Sequence, residues 1–508
     1  MGNMGIIIRQ SIKGTVVNYI GTAIGMVTTF FILTKYLTQE EIGLMRAFVD
    51  AGLLFAGLAQ IGTNASILRF FPYFNDAERK NHGFFFWTLL IPLIGFCIYL
   101  IVFLLFKNSI SVFFGQNSEL LVNYLYFIIP LGFFLLYQLV FETNSVVLHR
   151  IVVPAFVREV AIRLMLLVSY LFYAFHIISL TGLVVAFCCT YGIAACINLG
   201  YLIYLGKISI VPNFQHITKA LRKDFFFYTL FLIGAALTTA IIPTLSSFFV
   251  AAKLGLAFTG IYAIARYIVA FIEIPYRSLG AISNPHVSQK VKENNFVATN
   301  HLIKKVSLHQ FLIGTAIFFI VWINIDLIFS IIPNGKDFAS GKWVVFFLGL
   351  NAIVTTSLSI GGITLNYSRY YYYSLLLTLI LTVSAILMNI ICIPIWGING
   401  AAIATLLASC LYYILLTSLI FWKLKVIPFC WKHINILAIV LGLFILDYLW
   451  KQYITPFIIQ NDSPTLWVSF FDGLLRTVIL GGIGFVGVYF WNISEEVNGL
   501  VKKVFKIS

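Results

Sequence analysis

The chain has 508 residues, of which 61% are hydrophobic, 17% aromatic and only 10% charged. That balance excludes a soluble globular domain and indicates a protein that crosses a membrane many times. The net charge of +15 lies between long apolar runs, where it reports loop sidedness and contact with anionic lipid heads rather than with nucleic acid.

The apolar runs are continuous, which excludes an alternating β-barrel, and at about 20 residues per crossing they fit about fourteen helices. The expected fold is an all-α integral membrane protein. With the N-terminus in the cytoplasm, the loops on that side carry about 21 lysines and arginines against about 6 on the other, so the positive-inside rule puts both termini in the cytoplasm. The first span, about 11–33, presents Asn18, Thr22, Gly25 and Thr29 on one face, a seam that either packs helices or lines a pore. The second, about 43–70, carries Arg46, Asp50, Gly57, Gln60 and Asn64 at steps of four, seven, three and four, which is one helical face. Arg46 and Asp50 are spaced to pair, and the polar stripe runs on beyond them.

The third span, about 83–106, has no polar face. The fourth, about 119–141, ends with Gln138 and Glu142 one turn apart. The fifth, about 151–175, contains Arg158, Glu159 and Arg163; Glu159 and Arg163 can pair at i, i+4, which leaves Arg158 without a local partner. After the sixth span, about 180–205, a basic linker at 206–223 marks a boundary between two halves. A repeat supports it: Gly43 corresponds to Gly260, Arg150 to Arg369 and Gly182 to Gly400, each pair about 217 to 219 residues apart. An even number of helices separates each pair, so the halves are expected to be parallel repeats with the substrate site between them. The expected organisation is a six-helix lobe at 1–222, a second at 223–425, and two additional helices with a tail at 426–508.

Span seven, about 225–250, is rich in hydroxyls and contains Pro243. Span eight holds the most informative text, Gly260 to Pro285, where Tyr262, Arg266, Glu273 and Arg277 recur at steps of four, seven and four on one face. A charge at mid-membrane costs about 2.5 to 3.5 kcal/mol on insertion scales, so this face is expected to line a bundle interior or a wet cavity. Either the two arginines bind an anion or Glu273 neutralises them structurally. Tyr367 and Tyr370 to Tyr373 fit an interfacial aromatic belt. In the last two spans, Asp447, Asp472 and Arg476 are explained by interfacial placement or a helix pair.

Two stretches carry a family resemblance. NIICIPIWGINGAAIAT, with Asn389, Pro394, Gly397 and Gly400, and KYLTQEEIGLMRAFVDAGLLFAGLAQIG, from Lys35 to Gly62, resemble signatures of polysaccharide repeat-unit flippases in the multidrug/oligosaccharidyl-lipid/polysaccharide exporter superfamily. With the repeat, the resemblance covers about 6–422. It implies a bacterial inner-membrane flippase that moves an undecaprenyl-diphosphate-linked oligosaccharide to the periplasmic leaflet by alternating access. Lipid-linked-sugar members have a cationic cavity, and Arg46 and Arg266 fall where its arginines are expected. The two extra C-terminal helices depart from the twelve-span pattern and are closer to peptidoglycan-precursor flippases.

Arginine suits a diphosphate because its planar fork gives two charge-assisted hydrogen bonds and stays ionised when partly desolvated. The candidate diphosphate ligands are Arg46, Arg158, Arg163, Arg266 and Arg277, with Asn18, Gln60, Asn64 and Tyr262 as cavity lining. Asp50 or Glu273 is the candidate group for coupling to a proton or sodium gradient. No nucleotide-binding G-x-x-x-x-G-K-[ST] loop occurs, the histidines lack metal-ligand spacing, and the loops are too short for an enzyme's chemistry, so no cofactor, metal or catalytic residue is expected. The expected partners are the lipid-linked oligosaccharide, the bilayer and other polysaccharide-assembly proteins. The alternative is a multidrug/cation antiporter of the same superfamily, whose cationic substrates would favour a cavity dominated by carboxylates. The interior here has five arginines against Asp50, Glu142, Glu159 and Glu273.

Overall fold

The computed structural model describes residues 17–74, 76, 80–206, 208–209, 211, 241–242, 244–458, 466–495 and 498–499. The described residues form helices joined by short turns, and the chain divides into two compact units, Met1–Ala263 and Ile264–Ser508. The expected lobe boundary at 222/223 lies outside the described residues, as do Thr238, Thr239 and Pro243 of span seven.

In the first unit, α1 (Val17–Tyr36) contains a π-helical segment at Thr28–Leu33. It is followed by α2 (Gln39–Ala59), which starts on a capping box: Glu41 N–H donates to Thr38 Oγ1 at 3.2 Å and Thr38 N–H donates to Glu41 Oε2 at 2.8 Å. Two of the helix's orphan donors are satisfied in this way. The second span then breaks where one continuous helix was expected. Ile61 and Gly62 take positive φ, which ends α2, and α3 (Thr63–Phe74) begins anew. The stripe from Arg46 to Asn64 is therefore carried by two helices.

The long α4 (Phe84–Gly115) keeps most of its apolar surface exposed, as a lipid-facing helix does. Next come α5 (Ile128–Val147), α6 (152–174) with a π-helical segment at Val157–Ala161, and α7 (Leu180–Tyr204). An aromatic core of Phe70, Phe71, Phe74, Phe84, Phe85, Tyr137 and Phe141, closed by Ala195 and Leu202, binds α3, α4, α5 and α7 together. The unit ends with α8 (Thr244–Leu254) and the first turns of α9 (Leu256–Lys292).

Of the glycines that mark the repeat, Gly43 and Gly260 meet each other. A Cβ on Gly43 would run into the carbonyl of Leu256, and one on Gly260 would run into the carbonyl of Gln39. The starts of α2 and α9 thus cross backbone to backbone, which only glycine on both sides permits. Close by along the chain, Asn117 Nδ2 donates to the Ala252 carbonyl at 2.9 Å and Ser118 Oγ to the Ala251 carbonyl at 2.6 Å.

In the second unit the rest of α9 packs Ile272 against Gly314 of α10 (Phe296–Ile323) and Gly349 of α11 (Lys342–Tyr367). The unit continues with α12 (Tyr372–Leu424), which holds spans eleven and twelve in one run folded at Gly397, where φ is 57° and ψ −134°. The break falls inside the Pro394 to Gly400 text that carries the family resemblance. Finally α13 (Lys432–Tyr453) and α14 (Leu466–Phe490) dock on α10 through Leu308, Ile436 and Val488 at one level and Phe319, Leu443 and Leu480 at another.

Eleven helices among the described residues are long and apolar enough to cross a membrane. Two features of the chain separate this number from the expected fourteen: two spans run together in α12, and α6 carries three charges near its middle. Most of span seven lies outside the described residues, with Thr244–Leu254 as its described apolar helix.

Candidate functional site

Interior charge in the first unit is held on α2, α5 and α6. On α2, Arg46 Nε donates to Asp50 Oδ2 at 3.0 Å and Nη2 lies 2.8 Å from Oδ1, a fork-to-carboxylate pair one turn apart. Asp50 is buried, with 1% of its side chain exposed, while Arg46 retains 18%. The spacing alone predicted this pair, and it forms.

The π-helical segment of α6 sets Arg158 and Glu159 at the start of a charged ladder, as such single-turn insertions often do at functional positions. Glu159 is shared: Arg158 Nε donates to Oε1 at 2.9 Å and Arg163 Nη2 to Oε2 at 2.8 Å. Arg158 Nη1 also donates to Glu142 of α5. This corrects the expectation that Arg158 lacks a partner, for it has two carboxylates, one from a helix that local spacing could not anticipate. Both guanidiniums stay partly open, with 42% of the Arg158 side chain and 32% of the Arg163 side chain exposed.

Of the α1 seam, the packing role is visible. Gly21 lies against the Glu159 carbonyl, and a Cβ on Gly25 would stand 2.9 Å from Arg163 Nη1. Small residues on α1 therefore let it cover the base of the ladder. Asn18 is exposed, and its carbonyl accepts from Thr22 Oγ1 at 2.8 Å. Gln60 and Asn64 are half-buried, each with a buried side-chain oxygen that no donor among the described residues reaches. Tyr262, in the first turns of α9, is buried.

In the second unit, Arg266 is half-buried on α9. Glu273 and Arg277 are open to solvent, and Arg277 Nη2 lies 3.5 Å from Glu273 Oε2, with 73% and 41% of the two side chains exposed. The charge balance of the two units differs. Arg46, Arg158 and Arg163 stand among Asp50, Glu142 and Glu159, whereas α9 carries Arg266, Arg277, Lys290 and Lys292 with Glu273 as its one acidic residue. The excess positive charge therefore belongs to α9.

Two features were not expected. Glu41, already in the capping box, accepts a hydrogen bond from Tyr173 and so ties the start of α2 to the end of α6. The C-terminal pair holds a buried cluster in place of ordinary interfacial charges. Arg476 Nη2 donates to the Ile323 carbonyl at 2.6 Å, Nη1 lies 3.4 Å from Asp447, Lys451 lies 3.2 Å from the same carboxylate, and Trp450 Nε1 donates to Asp472 at 3.0 Å. The i, i+4 spacing of Asp447 with Lys451 was a usable signal; that of Asp472 with Arg476 was not, because Arg476 reaches across to Asp447 and the Ile323 carbonyl while Asp472 accepts from Trp450.

No family model matches the chain, and no curated protein matches it. Solved structures do. Lipid II flippase MurJ in an inward closed conformation is similar to this chain with a TM-score of 0.69 at 13% identity, over 94% of this chain and 99% of that one. An inward-facing multidrug resistance MATE family transporter of the MOP superfamily gives a TM-score of 0.60 at 14% identity, over 80% and 95%. A MOP superfamily transporter from Pyrococcus furiosus, described as having a binding pocket of reversed polarity, gives 0.53 at 13% identity, over 83% and 96%. At such identities the likeness is one of fold, and the fold of this chain is that of the flippases and exporters of the multidrug/oligosaccharidyl-lipid/polysaccharide superfamily.

Proposed function

We propose that this protein is a bacterial inner-membrane flippase that moves an undecaprenyl-diphosphate-linked oligosaccharide from the cytoplasmic to the periplasmic leaflet for surface polysaccharide assembly. The observation that carries this reading is the set of five arginines on membrane-length helices, two of them on α9 with a single carboxylate. Cations in such places are expensive unless they are paired or serve a ligand, and on α9 a single carboxylate stands beside two arginines. Arg46, Arg158, Arg163, Arg266 and Arg277 hold the diphosphate as the carrier alternates between its two faces. Asn18, Gln60, Asn64 and Tyr262 meet the sugars, and both termini lie in the cytoplasm. Asp50 or Glu273 couples the cycle to a proton or sodium gradient, and other assembly proteins deliver and receive the glycan.

One observation favours a second reading. The match to Lipid II flippase MurJ extends over 94% of the chain, whereas the MATE structures cover 80 to 83%, so a peptidoglycan lipid precursor is the competing cargo. Deleting the gene separates the two. The first reading predicts viable cells that lose surface glycan and accumulate the lipid-linked oligosaccharide in the cytoplasmic leaflet. Lysis with an intact surface glycan would support the peptidoglycan precursor instead, and unchanged lipid-linked pools would contradict both.

A further inference from the structure

Among the carboxylates of the first unit that the assignment above leaves without a role, one is only half satisfied. Glu142, near the end of α5, accepts from Arg158 through Oε1, while Oε2 is buried and meets no hydrogen-bond donor among the described residues. Its surroundings are poor in donors. One turn back on α5, Gln138 is buried with its own Oε1 unmatched, and Asn198 of α7 is fully buried with both amide atoms unmatched. Cys188 of α7 reaches the Phe127 carbonyl, and Gly192 lies against the ring of Phe134. That register sets Asn198 level with the turn from Gln138 to Glu142. The nearby wall is apolar, with Val140, Phe141, Ala195 and Leu202.

A carboxylate so placed keeps its negative charge because a cation stands on it, and removing the cation favours the neutral acid. Arg158 is that cation, and it is also the partly open arginine that an anionic ligand can reach. If an anion draws Arg158 away, Glu159 still holds Arg163 at 2.8 Å, so Glu142 is the carboxylate left without a cation. Among the described residues, the other cations around α5 are placed elsewhere: Arg46 of α2 pairs with Asp50, α7 has no charged side chain, Lys107 of α4 donates to Tyr126, and Arg69 of α3 and His149 and Arg150 after α5 are exposed.

We propose that Glu142 is the proton acceptor of headgroup binding. When the diphosphate takes Arg158, the hydrogen bond from Nη1 to Glu142 breaks, one from the guanidinium to a phosphate oxygen forms, and a proton from solvent binds Glu142. When the headgroup leaves, Arg158 returns and the proton departs. The loaded site thereby carries one negative charge fewer than the headgroup alone would impose. This inference rests on the assignment of Arg158 to the diphosphate.

Calorimetry on the full chain in nanodiscs tests it. The probe is a farnesyl diphosphate ester of N-acetylglucosamine, a diester whose charges do not titrate near neutrality, and titration in two buffers of different ionisation enthalpy counts the protons. Wild type should take up about one proton per probe bound, with affinity falling by up to about tenfold per pH unit as pH rises. E142Q should bind with no proton uptake and a flat pH profile, and E142D should recover uptake. Binding by wild type without uptake, or unchanged uptake in E142Q, overturns the proposal and leaves the headgroup site standing. Failure of wild type to bind the probe overturns both.

Discussion

Arg158 and Arg277 illustrate opposite relations between a charge and its local spacing. Arg277 sits four residues after Glu273, and the pair expected from that step is present but loose, at 3.5 Å and largely open. Exposed pairs of this kind contribute about 1 kcal/mol or less, so the pair is a weak reason for an arginine in a membrane helix. Arg277→Gln should therefore leave protein level and insertion unchanged while abolishing surface glycan, and the double variant Arg277→Gln with Glu273→Gln should remain inactive. Full glycan export by the double variant, measured on whole cells, would assign Arg277 to neutralising Glu273 instead. Arg158 could not be read this way, because its second partner, Glu142, comes from another helix and its own turn is π-helical. Residues four apart on one helix were legible; contacts made across helices were not.

At the scale of elements, the turns were readable and the continuity of helices was not. Gly397 at positive φ marks the fold in α12, within the Pro394 to Gly400 text whose proline and glycines are turn residues. The break at Ile61 and Gly62 inside the second span has no proline to announce it, and the hydrophobic pattern runs straight through it. Of the repeat glycines, chosen for their spacing, Gly43 and Gly260 form one contact, whereas Gly182 and Gly400 each lie against other residues. At Gly43 and Gly260 the obstructing atoms are backbone carbonyls, which cannot swing aside as a side chain can. Gly43→Ala should therefore push α2 from α9 and cost about 1 to 3 kcal/mol, the range for overpacking a close contact. Gly200→Ala on α7, where nothing lies within 4 Å, serves as the control. Thermal unfolding of the purified protein in detergent should show a lowered midpoint for the first and none for the second; equal midpoints would mean that the crossing tolerates a methyl group.

For the whole molecule, composition alone indicated many apolar helices, and the spans that escape a simple count are those carrying charge or sharing a helix. What a single chain could not reveal is how its C-terminal pair is fastened. Asp447, Asp472 and Arg476 look interfacial in sequence, yet they are buried where α14 meets the end of α10. Buried ionic groups are weak evidence of added stability but are sensitive to losing a partner, so the pair is an integral part of the second unit. That placement agrees with a likeness to Lipid II flippase MurJ that extends over 94% of the chain. The proposed function requires that this fold, with arginines on its membrane-length helices, carry an anionic lipid-linked sugar across a bilayer. The most direct measurement reconstitutes the purified protein in liposomes with fluorescent undecaprenyl-diphosphate-linked oligosaccharide from the native host and quenches the outer leaflet with a membrane-impermeant reductant. Wild type should expose the inner-leaflet pool to the reductant over time while Arg266→Gln leaves it protected; wild-type vesicles indistinguishable from protein-free ones would contradict the claim.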